Sequence, residues 1–86
     1  MPNVEIYTSA NCAYCVAAKI LLKQKGFDYT ELRVDTDPAR RDEMIARTRQ
    51  RTVPQIFIDG RHIGGYDDLV AAERNGTLPK AAGSAA

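Results

Sequence analysis

The sequence predicts an α/β domain in which a four-stranded mixed β-sheet is flanked by three helices. Three observations carry that expectation. The first third runs strand, amphipathic helix, strand, an order that gives a parallel pair joined by a right-handed crossover. Asp37-Pro38 then supplies a capping residue followed by the proline favoured at a first helical position. Later, Ile56-Phe57-Ile58 runs into Asp59-Gly60, the strongest short-range hairpin signal. With 86 residues, 44% of them hydrophobic, the chain suffices for one domain with a modest core.

The elements follow in order. Val4 and Ile6 alternate with Glu5 and Tyr7, the period of a strand. Residues 8–11 are polar, and Asn11 is the expected helix cap. Over residues 12–25 the expected buried face is Cys15, Val16, Ile20 and Leu21, opposite Lys19 and Lys23, and Gly26 ends the helix. Residues 29–34 alternate again, with Leu32 and Val34 inward. The second helix covers residue 39 to about residue 47 and turns Met44 and Ile45 toward the core; residues 47–51 read as a basic loop. Residues 61–63 return antiparallel after the hairpin. Gly64-Gly65 interrupts the strand, Asp67-Asp68 start a last helix to about Arg74, and Asn75-Gly76 closes it. Residues 1–78 form the domain, and the Ala/Gly/Ser-rich residues 79–86 are expected to fray as a flexible tail.

The chemistry concentrates at Cys12-Ala13-Tyr14-Cys15, which holds both cysteines of the chain. The i, i+3 spacing at the start of a helix puts the two sulfurs on one side of the first turn, close enough for a disulfide. Orphan N–H groups at that terminus favour the thiolate of the first cysteine. A C-x-x-C at a strand-to-helix junction is the pattern of a redox site. A zinc site is the weaker reading, because tetrahedral zinc takes four ligands and His62 is the only other strong donor. A formal charge of +1 gives no sign of a nucleic-acid partner, and no apolar run approaches a membrane span. Arg47, Arg49 and Arg51 read as a solvated loop, or as an attractor for an anionic substrate. The first residues carry no apolar secretory segment, so a cytoplasmic setting is expected, where a C-x-x-C is more often catalytic or metal-binding than structural.

Three stretches taken together go further: Cys12-Ala13-Tyr14-Cys15, Thr52-Val53-Pro54-Gln55 and Gly64-Gly65-Tyr66-Asp67-Asp68-Leu69. Their combination and separations resemble the glutaredoxins over nearly the whole chain. The resemblance implies a thioredoxin-like fold and a glutathione-dependent thiol–disulfide oxidoreductase acting on protein disulfides and on glutathione mixed disulfides. Cys12 would be the nucleophile and Cys15 the resolving thiol. Tyr14 would flank the glutathione sulfur, and Thr52, Val53 and Pro54 would form a cis-proline turn that pairs with the tripeptide. Gly65, Tyr66, Asp67 and Asp68 would hold its γ-glutamyl end, and Arg41 its glycine carboxylate. Glutathione is the implied co-substrate, with glutathione reductase acting indirectly through it. The implied state is a monomer.

The chain departs from the family pattern at Ser9, where a lysine is common, and at Ala13, where a proline is common. Ser9 removes a cation near the first cysteine. Ala13 keeps open an alternative function, a [2Fe–2S] cluster carrier in which Cys12 of two copies and two glutathiones bridge the cluster in a dimer. A further alternative is a glutaredoxin-like donor reduced by thioredoxin reductase.

Overall fold

The computed structural model describes residues 2–79. The elements are β1 (Val4–Thr8), α1 (Ala13–Gln24), β2 (Thr30–Arg33), α2 (Pro38–Thr48), β3 (Gln55–Ile58), β4 (Arg61–Gly64) and α3 (Tyr66–Arg74). The strands form one sheet in the order β2-β1-β3-β4. β1 runs parallel to β2 and antiparallel to β3, and β3 runs antiparallel to β4, so the sheet is mixed as the sequence predicts. Apart from Pro79, the expected tail lies outside the described residues.

The sheet is covered on both faces. On one, Val4, Ile6, Ile56 and Ile58 pack with Ala18 and Leu22 of α1 and Leu69 of α3. On the other, Tyr7, Leu32, Val34 and Phe57 pack with Met44 of α2. Alternation along β1 therefore switches between two interiors, and Tyr7 is as fully buried as Ile6. The Tyr7 hydroxyl donates to Glu43 and accepts from Arg47 Nη1 at 2.8 Å, which satisfies it inside the core.

Several boundaries differ from the sequence expectation, each for a local reason. The buried stripe of α1 is Cys15, Ala18 and Leu22, while Val16 and Ile20 are 52% and 53% exposed. At about 100° per residue, Val16 and Ile20 lie roughly 100–140° round the helix from Cys15. The small Ala18, uninformative as a hydrophobic signal, is what lets the helix approach the sheet. Cys12 caps α1; Asn11 sits one residue earlier in the left-handed region, at φ 57°. Arg47 belongs to α2, which ends at Thr48, and the loop opens at Arg49. Its guanidinium lies 3.7 Å from the centroid of the Phe57 ring and bonds Glu5, so it is a packing residue. α3 starts at Tyr66, with Gly65 as its cap, one residue before Asp67-Asp68. The Asp37 cap is as expected: its carboxylate accepts from Ala39 N at 3.1 Å.

Candidate active site

β1, an interior strand, delivers the chain to one end of the sheet, and four residues after its last residue Cys12 caps α1. Cys12 and Cys15 form a disulfide with their Cα atoms 5.2 Å apart. The two sulfurs are not equivalent. Cys12 is half-buried, whereas Cys15 is 1% exposed, one turn deeper. Cys12 Sγ also accepts from Cys15 N at 3.1 Å, the bond that a serine or aspartate oxygen makes at a helix N-cap. A thiolate at that position receives an N–H and faces the positive end of the helix. The accessible sulfur is thus also the one whose anion is stabilised.

A cleft of about 300 Å³ opens beside this cap. One wall is Tyr14, whose ring stands 5.9 Å from that of Tyr66. The floor is Thr52, Val53 and Pro54, and the far end is Gly65, Asp67 and Asp68 at the start of α3. The Val53–Pro54 peptide is cis. Val53 O lies 3.9 Å from Cys12 Sγ, a van der Waals contact in the disulfide, which has no S–H to donate. Among the described residues, no backbone group pairs with the N–H or C=O of Val53. At the far end, Asp68 Oδ2 accepts from Gly65 N at 3.0 Å, which caps α3 and leaves its other oxygen available. The first-turn N–H groups of α3 have no intrahelical acceptor, so this end offers anion and cation partners side by side.

The glutaredoxin family profile matches residues 4–63 of this chain. Over 78 residues the chain is 55% identical to glutaredoxin 3 of Escherichia coli K12, covering 91% of this chain and 94% of that protein. It is 50% identical to a glutaredoxin of Pseudomonas aeruginosa over 78 residues, covering 91% and 93% respectively. Among solved structures, a buckwheat glutaredoxin–glutathione complex superposes with a TM-score of 0.81 at 34% identity, covering 90% of this chain and 73% of that one. The chain belongs to the glutaredoxin family. Its fold is accordingly thioredoxin-like, and its C-x-x-C pair is that of a thiol–disulfide oxidoreductase.

Within this glutaredoxin, the cleft brings together Tyr14, Thr52, Val53, Pro54, Gly65, Tyr66, Asp67 and Asp68. Arg41 is exposed on α2 and is not among the residues lining it. Sequence reasoning missed Gln50 and Gln55, which do line it. Gln55 is 1% exposed. Its Nε2 donates to Gln50 Oε1 at 3.0 Å and to Thr52 O at 3.1 Å, while Oε1 meets His62 Nε2 at 2.7 Å. That amide ties the cleft floor to β4. Its only sequence signal is a polar residue next to Pro54 at the head of an apolar strand.

The loop before Cys12 is also tethered. Asp35 accepts from Ala10 N at 2.9 Å and pairs with Arg33 through both oxygens. The Arg33 bonds, then the Ala10 bond, hold the Asp35 carboxyl well below its usual range. Thr8 and then Lys19 lower Glu31, and Tyr7 leads in lowering Glu43. A depressed folded value means that the unfolded chain binds protons more readily. The stabilisation is therefore complete above the ordinary carboxylate values of about 4 and is lost as pH falls below them. The midpoint of urea unfolding is expected to hold steady from about pH 7 to 5 and to fall below about pH 4. Asp35→Asn should flatten the acid limb, and Asp35→Ala, which removes the acceptor, should also release the Ala10 amide to faster hydrogen exchange.

Proposed function

We propose that this glutaredoxin uses glutathione to reduce protein disulfides and glutathione mixed disulfides, with Cys12 as nucleophile and Cys15 as resolving thiol. The observation that carries the reading is the alignment of Cys12 with a peptide-sized cleft. Its floor presents the unpaired backbone of Val53, and its far end presents Asp67 and Asp68 beside helix N–H groups. An extended tripeptide would pair with Val53 as a short added strand. Its γ-glutamyl carboxylate would face the N–H groups of α3, and its amine Asp68. The buckwheat relative was solved as a complex with glutathione, which supports the same ligand here.

In the two-thiol route, the Cys12 thiolate attacks one sulfur of a substrate disulfide and releases the other as a thiolate, which takes up a proton. The Cys15 thiolate then attacks Cys12 Sγ, releases the second substrate thiol and leaves the Cys12–Cys15 disulfide. One glutathione reopens it, forming a Cys12–glutathione disulfide and freeing Cys15. A second attacks the glutathione sulfur, restoring the Cys12 thiolate and yielding glutathione disulfide. Two electrons pass to the substrate for two glutathiones oxidised, and glutathione reductase with NADPH would recycle the product. In the one-thiol route, Cys12 attacks the glutathione sulfur of a modified protein, so Cys15 is not needed. The reading places the reaction in the cytoplasm and needs only a monomer.

The [2Fe–2S] carrier is less well supported. Such a cluster takes four ligands, and one chain offers Cys12 and the buried Cys15 as its only thiols. One accessible thiol per chain would suit the cluster only in a dimer, with two Cys12 thiolates and two glutathiones as the four ligands.

A direct test is to treat reduced Cys15→Ser protein with glutathione disulfide. One glutathione should attach to Cys12, with amide shifts concentrated at Thr52, Val53, Tyr66, Asp67 and Asp68. An adduct that leaves those amides unmoved would contradict the assigned cleft.

A further inference from the structure

If glutathione fills the cleft, the polypeptide joined to it needs another surface, and the inference below rests on that reading. We propose that the flank of the disulfide opposite the cleft receives the polypeptide half of a mixed disulfide, as an extended segment with an apolar side chain beside its cysteine. A groove of about 600 Å³ borders the disulfide on that flank. Ser9, Ala13 and Val16 line it from the site loop and α1, and Glu31 and Arg33 line it from β2. The sheet order separates the two openings. β2 is one edge, whereas the cleft is built on the approach to β3 and the start of α3 on the other side of β1. The disulfide follows β1 and lies between them.

The apolar side chains on this flank are not needed by the fold. Among the described residues, Tyr14, Val16 and Ile20 are the large hydrophobic side chains left exposed, and all three are on α1. Tyr14 belongs to the cleft. Val16 and Ile20, four apart, form a stripe that starts at the groove, while α1 already buries its other face through Cys15, Ala18 and Leu22. The charged groups beside the groove are paired. Lys19 bonds Glu31 at 2.9 Å, and Arg33 bonds Asp35 at 2.7 Å. The flank therefore presents little net field and selects by apolar contact. Ser9 and Ala13 are small and leave room beside Cys12. The stripe is continuous with the disulfide that every substrate of this enzyme has to reach.

The test uses two peptides of equal length, one with leucines and one with serines flanking a single cysteine, each supplied as its glutathione mixed disulfide. Wild type should turn over the leucine peptide with a kcat/KM about tenfold higher, from covering the exposed parts of two aliphatic side chains. The double variant Val16→Gln, Ile20→Gln should lose that preference and keep the wild-type rate on the mixed disulfide of glutathione and mercaptoethanol. Glutamine is neutral, so the electrostatic surroundings of Cys12 stay as they were. Equal rates for the two peptides in wild type would overturn the proposal, as would a preference that survives in the variant. Sedimentation showing that wild type dimerises through the stripe would overturn it too, by giving the stripe a different occupant. If wild type fails on all three substrates, the glutathione reading falls and this inference with it, an outcome distinct from a lost leucine preference alone.

Discussion

Cys12→Ser is expected to lower turnover of a small glutathione mixed disulfide by about three orders of magnitude or more, because a neutral hydroxyl replaces the only accessible thiolate. Cys15→Ser should retain activity on the same substrate to within a few-fold. The difference follows from the geometry. Cys12 caps α1, accepts the Cys15 N–H at 3.1 Å and is partly open to solvent. Cys15 is 1% exposed and lies one turn deeper than Cys12. With a protein disulfide as substrate, both variants should fail to complete the two-thiol cycle, and Cys15→Ser should accumulate as a mixed disulfide. Residual activity in Cys12→Ser comparable with wild type would contradict the assignment of the nucleophile. The fold should survive the Cys12 change, since serine also serves at a helix cap.

Gly64→Ala is the substitution expected to damage the fold and the cleft together. Gly64 has φ +118°, a conformation closed to side chains, and an added Cβ would sit 2.7 Å from Asp68 Cγ and 2.9 Å from Asp68 Cβ. Moving the Asp68 carboxylate alone does not relieve the second clash. Any relief breaks the Asp68–Gly65 bond that caps α3. The combined strain and lost cap should destabilise the protein by about 2–4 kcal/mol in urea unfolding and raise the KM for glutathione. Gly65→Ala is the matched control. Gly65 has φ −87°, and its added Cβ would meet Pro54 O at an ordinary 3.5 Å. That change should cost less than about 1 kcal/mol. Equal losses at the two positions would show that the packing against Asp68 is not what restricts Gly64.

Much of this was legible in the sequence because the signals were local. Asp37-Pro38, Asp59-Gly60 and the strand alternations fix caps, turns and strands from neighbouring residues alone, and those elements lie where expected. The spacing of Cys12 and Cys15 is likewise a local signal, whereas Thr52, Val53 and Pro54 came from the resemblance to the glutaredoxins. What stayed hidden depends on tertiary contacts. Nothing local tells that α1 presents Ala18 rather than Val16 to the sheet, because that choice depends on how closely the helix must approach. Arg47 looked like a loop cation, and only the fold brings Phe57 beneath its guanidinium and Tyr7 and Glu5 to its nitrogens. Gln55 gained its role from partners five residues before and seven after it, joined through a strand and a turn. The placement of Arg41 outside the cleft likewise required the orientation of α2.

Whether glutathione is the reductant is read most directly from reduction of the oxidised protein by two competing systems. One is glutathione with glutathione reductase and NADPH; the other is thioredoxin reductase with NADPH. With the mixed disulfide of glutathione and mercaptoethanol present, the first system is expected to sustain NADPH oxidation over many turnovers and the second to give almost none. Efficient reduction by thioredoxin reductase, with glutathione leaving the Cys12–Cys15 disulfide intact, would contradict the account.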